Sequence, residues 1–332
     1  MVTLDDVKQA QGRLRGIAAR TQLLESSIPQ AVAAQDERRL FLKLENQQPI
    51  GSFKLRGAYN KIASLSEEER GRGVITYSSG NHAQGVAYAA RTLGVKAIIV
   101  MPNNAPAIKR QATASLGAEI VIVGPGSAER QAKAEELAET HGYVIVPPYN
   151  DEKIIAGQGT IGLEILEDLP EVEMVLVPVG GGGMISGIAS AIKLSSPGTK
   201  VLGVEPELAG DAQATLRSGK LVHFDAEKVT RTIADGLRTQ SIGAINFEHI
   251  RKYVNDIVTV TEDEIRESVR RLALDPKTIA EPSGAVAVAA FLFHRDQLPS
   301  TKLNVAVISG GNIEPKLLQK ITGNSATNFV AR

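Results

Sequence analysis

The sequence contains no cysteine. That excludes disulfides, cysteine-ligated zinc, iron–sulfur clusters and a thiol nucleophile. Tryptophan is also absent and aromatics make up only 4% of the chain, which argues against a base-stacking surface for nucleic acid. Neither sign of charge is in excess, since 37 Lys and Arg balance 37 Asp and Glu. A neutral chain lacks the positive field that holds nucleic acid or an anionic membrane. No run approaches the roughly 18 apolar residues of a transmembrane helix. The opening segment MVTLDDVKQAQGRLRGIAAR has no apolar core of the signal-peptide kind. The expectation is a cytoplasmic protein with a small-molecule ligand and no nucleic-acid or membrane partner.

What is present is an ordinary globular composition, 43% apolar and 22% charged, over 332 residues. That length suggests about two domains. Short β-branched runs alternate with helical patterns. Strands are expected at Leu40–Glu45, Val74–Tyr77, Ala97–Met101, Glu119–Gly124, Val144–Pro147, Met174–Val179, Val201–Glu205, Ile257–Val260 and Asn304–Ser309. Between them lie helical segments such as Asn81–Leu93, Ala105–Leu116, Ala128–Thr140 and Thr160–Asp168. Strand–helix alternation predicts an α/β fold of open, mostly parallel sheets flanked by helices. Thr261-Glu262-Asp263-Glu264 reads as a capping box. Three βα units within 73–150 predict a small domain inserted in a larger one built from 1–63 and 152–332.

In open α/β sheets, ligands bind beyond the C-terminal strand ends. Four unusual turns fall there: Ser78-Ser79-Gly80-Asn81-His82, Gly180-Gly181-Gly182-Gly183-Met184, Glu205-Pro206 and Ser309-Gly310-Gly311-Asn312. They are expected to share one pocket. The four glycines between a strand and a helix suit an anion, because backbone N–H groups can converge on it and the helix dipole favours it. The dinucleotide spacing G-x-G-x-x-G fails, since Ile185 and Ser186 stand where its third glycine is needed. No Gly-Lys-Ser/Thr follows for a Walker loop either. A phosphate monoester fits best. A nicotinamide-dependent oxidoreductase and a non-catalytic amino-acid-binding protein are the alternatives from other classes.

Upstream lies Ser52-Phe53-Lys54-Leu55-Arg56-Gly57-Ala58. Lys54 by itself reads as a solvated lysine early in a helix. Taken with the Ser-Ser-Gly-Asn-His turn, the four glycines and the late Ser-Gly-Gly-Asn, the whole chain resembles the fold-type II pyridoxal-phosphate enzymes. It is most similar to the serine/threonine dehydratase and serine racemase family. The resemblance implies a fold like that of the tryptophan synthase β-subunit, pyridoxal 5′-phosphate as cofactor, and a homodimer. It implies that Lys54 joins the cofactor aldehyde and moves the α-proton, with Phe53 beside the cofactor. Gly180, Gly181, Gly182, Gly183 and Met184 would hold the phosphate, Asn81 the ring hydroxyl, and Ser309 the ring nitrogen, with Gly236 lining the site. A neutral partner at the ring nitrogen makes a weaker electron sink and favours fast loss of a β-hydroxyl.

Ser78, Ser79, Gly80, Asn81 and His82 would bind the substrate carboxylate, and Arg130 aligns with a substrate-recognition arginine of the racemases. Ser79 stands where simple threonine dehydratases usually carry alanine, whereas serine racemases and hydroxyaspartate dehydratases carry serine. It would act opposite Lys54, as α-proton inversion requires. Glu205, the carbonyl of Ala209 and Asp211 resemble a divalent-cation loop. Such hard oxygen donors suit Mg²⁺, or Ca²⁺ or Mn²⁺. The five histidines show no paired metal spacing, so zinc is given no role. The implied activity is elimination of water and ammonia from a small β-hydroxy amino acid, L-threonine or L-serine. Serine racemisation is a second activity and 3-hydroxyaspartate an alternative substrate. The sequence ends about 20 residues after Asn312, so no appended regulatory domain and no isoleucine feedback are expected.

Overall fold

The structure is a computed structural model that describes residues 1–28, 37–105, 107–124 and 126–323. Its ten strands among these residues are β1 (Leu23–Glu25), β2 (Arg39–Leu44), β3 (Val74–Thr76), β4 (Ala97–Pro102), β5 (Glu119–Val123), β6 (Val144–Ile145), β7 (Met174–Pro178), β8 (Lys200–Pro206), β9 (Asp256–Val260) and β10 (Leu303–Ile308). They form two sheets, in the orders β1-β2-β10-β7-β8-β9 and β5-β4-β3-β6. Every pairing is parallel except β1 against β2. The expected α/β architecture of two helix-flanked sheets is the one observed.

Side-chain alternation explains the layers. In β7, Leu176 joins a core with Val286 and Phe291 of the Pro282–Phe293 helix. Its neighbours Val175 and Val177 face the other way, onto Ile185, Ile188 and Ile192 of the Gly183–Ser195 helix. A strand buried on both faces needs apolar residues at both phases of its period-two pattern. The small sheet repeats the scheme, with Ile99 and Met101 packed against Val86 and Ala90, and Ile98 and Val100 against Ala134.

Most boundaries lie close to expectation, and the Asn81–Leu93 helix has the expected ends. The capping box forms, with Glu264 N–H donating to Thr261 Oγ1 and Thr261 N–H to Glu264 Oε2. Three departures have physical reasons. The strand expected at Val144–Pro147 stops at Ile145, since the prolines beyond it have no N–H to give a ladder. The three-residue edge strand β1 is too short to show a period. The helix expected from Thr160 begins at Glu152, where Asp151 accepts from the N–H groups of Lys153 and Ile154. Glycines at 157, 159 and 162 hide the helix in the sequence, but they are packing sites. A Cβ on Gly157 would lie 2.7 Å from Arg56 O, and one on Gly162 2.9 Å from Ile188 O. The helix expected at Ala105–Leu116 runs Ala107–Ala114, and Pro106 lies outside the described residues. So do the segments 29–36 and 324–332 of the expected large domain.

A buried charge cluster fixes the segment that carries Lys54. The Lys54–Ala63 helix presents Arg56, which is 1% exposed. Its guanidinium donates to both oxygens of Glu45 at 2.8 Å and to Glu164 at 2.6 and 2.9 Å. Lys43 Nζ, also buried, donates to Glu164 Oε2 at 2.6 Å. Two cations thus meet two anions. Burial pushes the Glu45 carboxyl upward, but the Arg56 guanidinium, joined by Lys43 and the Thr21 hydroxyl, more than offsets this and holds it below its ordinary value. Truncating one member leaves an unpaired buried charge, so Arg56→Met is expected to cost about 3–5 kcal/mol. Urea unfolding measures it, and a cost within about 0.5 kcal/mol would contradict this account.

Candidate active site

Both sheets direct strand ends toward one cavity of about 270 Å³. β3 leads into Ser78–His82, β7 into Gly180–Met184 and β10 into Ser309, and all three turns line it. The fourth expected turn does not reach it. Glu205 and Pro206 end β8 and fold away, because the Glu205 carboxylate accepts from the N–H groups of Ala212 (3.1 Å) and Gln213 (2.8 Å). Phe53, Lys54, Gly236 and Arg130 also line the cavity, so every candidate cofactor and substrate residue is in one place.

Lys54 opens its helix, and its Nζ donates to the carbonyl of Pro148 at 2.8 Å. It lies 5.1 Å from the Phe53 ring centroid. Burial lowers its pKa from 10.5 to about 8, against the opposing pull of Glu281. Taking an ammonium out of water favours the neutral amine, which is the nucleophilic and basic form.

The glycine turn shows why four glycines are used. Gly182 has a φ of +91°, a left-handed conformation. A Cβ on Gly181 would fall 2.2 Å from the Tyr149 ring, and one on Gly183 2.9 Å from Tyr149 Cβ. Asn246 Nδ2 and Gly243 N–H both donate to the carbonyl of Gly181, at 2.9 and 3.1 Å, and so fix the turn from behind. The helix that follows has no side-chain cap. Neither has the Asn81–Leu93 helix, whose first residues also line the cavity. Two helix N-termini with uncapped amides therefore open on one space, each suited to an anion.

Other polar groups of the wall hold one another. Ser78 Oγ accepts from Gly80 N–H at 3.3 Å. His82 is buried, and its Nε2 meets the carbonyl of Val146 at 3.0 Å, so Nε2 carries the proton. Burial, and then the Lys54 charge, push its pKa to about 3, which keeps the ring neutral. Ser309 Oγ lies 3.4 Å from the carbonyl of Ser283, whose own hydroxyl accepts from Gly236 N–H at 2.9 Å. Arg130 is partly buried, and desolvation lowers its pKa.

Among the cavity residues that were not anticipated, three bear on the chemistry. Glu281 accepts from Asn81 Nδ2 at 2.7 Å. Tyr149 packs under the glycine turn, and burial raises its pKa to about 12. The Pro148 carbonyl holds Lys54. Glu281-Pro282-Ser283-Gly284 is a helix-opening turn of the kind that signals a site, and Pro148-Tyr149 follows a strand.

A family model of pyridoxal-phosphate dependent enzymes matches residues 15–310. The chain belongs to that family. It is 47% identical over 321 residues to an L-threonine ammonia-lyase of Thermotoga maritima, covering 97% of this chain and 78% of the relative. A catabolic L-threonine dehydratase of Escherichia coli is 43% identical over 97% of this chain and 96% of its own. An L-threo-3-hydroxyaspartate ammonia-lyase of Saccharomyces cerevisiae is 41% identical, over 95% and 94%. Among solved structures, a T.th. threonine deaminase superposes with a TM-score of 0.87 at 42% identity, covering 94% of this chain and 99% of that one. Maize serine racemase gives 0.90 at 35%, covering 96% of each.

The site fits pyridoxal phosphate on its own terms. It has a glycine cradle with no room for a Cβ, an uncapped helix N-terminus for a phosphate, and an amine in the same cavity with a lowered pKa. Gly181→Ala is expected to push Tyr149 or the turn aside and weaken binding of added pyridoxal phosphate by at least about tenfold, or about 1.4 kcal/mol. Fluorescence titration of the apoprotein measures this, and unchanged affinity would overturn the assignment of the turn.

Proposed function

We propose that the protein is a pyridoxal-phosphate-dependent ammonia-lyase that converts L-threonine or L-serine to a 2-oxo acid and ammonia. The observation that carries this reading is that the Lys54 amine and the Gly180–Gly183 turn line one cavity. When bound, the cofactor supplies a carbonyl carbon for imine formation and a conjugated ring that draws electrons from Cα. Gly180–Gly183 and the Met184 N–H would hold its phosphate, Asn81 its ring hydroxyl and Ser309 its ring nitrogen, with Phe53 and Gly236 at its flanks.

Lys54 is the base. At a pKa of about 8, roughly one-tenth of the amine is neutral at pH 7, against less than about one-thousandth for an ordinary lysine. Its Nζ takes the Cα proton, one proton is returned to the β-hydroxyl as the Cβ–O bond breaks so that it leaves as water, and the nitrogen is released as ammonia when the enamine product tautomerises and is hydrolysed by water. The uncapped N-terminus at Ser78–His82 binds the substrate carboxylate. Ser79 carries a second proton-transfer group and supports a side activity of serine racemisation. Arg130 lines the same cavity, which favours a second reading in which the dicarboxylate 3-hydroxyaspartate is the substrate.

Glu205 and Asp211, with the carbonyl of Ala209, form a candidate Mg²⁺ loop, and Ca²⁺ or Mn²⁺ suits the same donors. Both carboxylates are buried, and Asp211 has only the nearby backbone N–H groups of its own residue and of Ile242 to oppose that burial. Burial, and then Asp211, push Glu205 well above its ordinary value, and burial raises Asp211 to about 7. Two adjacent carboxylates without a countercharge fit a bound cation. No cluster of three His, Cys, Asp or Glu exists among the described residues, so backbone and water must complete the shell. No helix among those residues is long and apolar enough to cross a membrane. Residues 1–63 with 152–332, and 73–150, act as the two structural units, and the enzyme works as a homodimer.

Assay with L-threonine, L-serine and 3-hydroxyaspartate should give oxo acid and ammonia from at least one. Lys54→Ala is expected to abolish turnover and the visible absorbance of lysine-linked cofactor. Ser79→Ala should abolish formation of D-serine but spare part of the elimination, and equal loss of both would remove Ser79 from its role. For the cation, both raised pKa values mean that the folded state binds more protons than the unfolded state. Metal-free protein should therefore lose stability as pH rises from 3.8 through about 7. Mg²⁺ at pH 8 should restore the melting temperature, whereas no response to Mg²⁺ would dismiss the loop.

A further inference from the structure

A chain of side-chain amides runs behind the cavity wall. Asn312 Nδ2 donates to the carbonyl of Ile50 at 2.9 Å and to Asn81 Oδ1 at 2.8 Å. Asn81 Nδ2 donates in turn to Glu281 Oε1 at 2.7 Å. Both ends of this chain can only accept, one being a backbone carbonyl and the other a carboxylate. That leaves a single arrangement for the two amides. Asn312 must spend both N–H groups, and Asn81 must present its oxygen to Asn312 and its nitrogen to Glu281. The second N–H of Asn81 has no protein acceptor among the described residues, and Asn81 lines the cavity.

Glycines clear the path for this chain. A Cβ on Gly51, whose φ is +71°, would sit 2.3 Å from Asn312 Oδ1. One on Gly310 would sit 2.5 Å from Glu281 Oε1, and one on Gly284 2.4 Å from the carbonyl of Gly310. Two loop positions and one in the first turn of the Pro282–Phe293 helix thus give up side chains where the relay passes. The relay also joins the two halves of the site. Asn81 opens a helix packed on the small sheet, while Asn312 and Glu281 flank β10 and the Pro282–Phe293 helix of the large one.

We propose that Glu281 and Asn312 are positioning residues that lock the Asn81 amide with a donor facing the cofactor's ring oxygen. The inference rests on the pyridoxal-phosphate reading of the cavity and adds residues to it. A fixed donor favours the oxyanion form of that oxygen, whereas a flipped amide would set two acceptors against each other.

The test uses the full-length protein reconstituted with pyridoxal phosphate. It reads the fluorimetric dissociation constant and the pH midpoint of the visible absorbance, neither of which needs turnover. Glu281→Gln keeps the shape but ends the chain on a group that can also donate, which removes one of the two locks on Asn81 and leaves only the Asn312 end. Asn312→Asp removes both donors at the other end and serves if the first variant does not fold. Each is expected to raise the dissociation constant about tenfold and to move the midpoint upward by about one unit. Glu281→Asp, which keeps an acceptor-only end, should recover most of both. In an Asn81→Ala background, Glu281→Gln should add nothing, because it acts through Asn81. Additive effects, or a midpoint that stays put, would overturn the relay. If the wild-type protein binds no pyridoxal phosphate, the cofactor reading itself has failed, which is a different result.

Discussion

The position of Lys54 depends on Arg56. Two residues after the amine, a guanidinium is sealed between Glu45, which follows β2, and Glu164 on the Glu152–Asp168 helix. Its Nη2 also donates to the carbonyl of Ala19 at 3.2 Å, which brings in the N-terminal segment. Three distant pieces of chain are thus fixed to the first turn of one helix. Buried ion clusters are weak sources of net stability, since desolvation offsets most of the attraction. What this one supplies is a unique placement, because a shift of the helix would strand four charges without water.

With that helix fixed, the cavity follows from opposed requirements. The amine must be dry enough to lose its proton readily, while the anions it works beside need strong donors. Side chains carrying positive charge would satisfy the anions but would add competing charge next to the amine. Backbone amides avoid the conflict, since uncapped helix N-termini offer partial positive charge without another titratable group. The glycines at 181 and 183 then serve two purposes. They expose amides on one side and admit Tyr149 on the other.

Tyr149 also links parts of the molecule that a residue-by-residue reading keeps separate. Its hydroxyl is held in its neutral form first by burial, then by Tyr77 and by the Asp211 carboxylate. The acidic loop after β8 therefore bears on the ionisation of a ring that packs against the glycine turn. Asn246 and Gly243, on the far side, anchor the same Gly181 carbonyl.

The sequence by itself determined the local grammar. Period-two and helical patterns gave the strands and layers, glycine runs at strand ends gave the cradle, and the ordered strings around Lys54, Ser79 and Asn312 gave the family. It left unmarked the roles of Arg56, Tyr149 and Glu281, and it assigned the Glu205 turn to the wrong pocket. Those were decided by tertiary structure, because each depends on a partner far away along the chain, or on which way a turn folds after its strand. The same is true of Lys54, whose side chain looks solvated in isolation. Composition and spacing are properties of neighbours along the chain, but loss of water is a property of what the rest of the chain brings alongside.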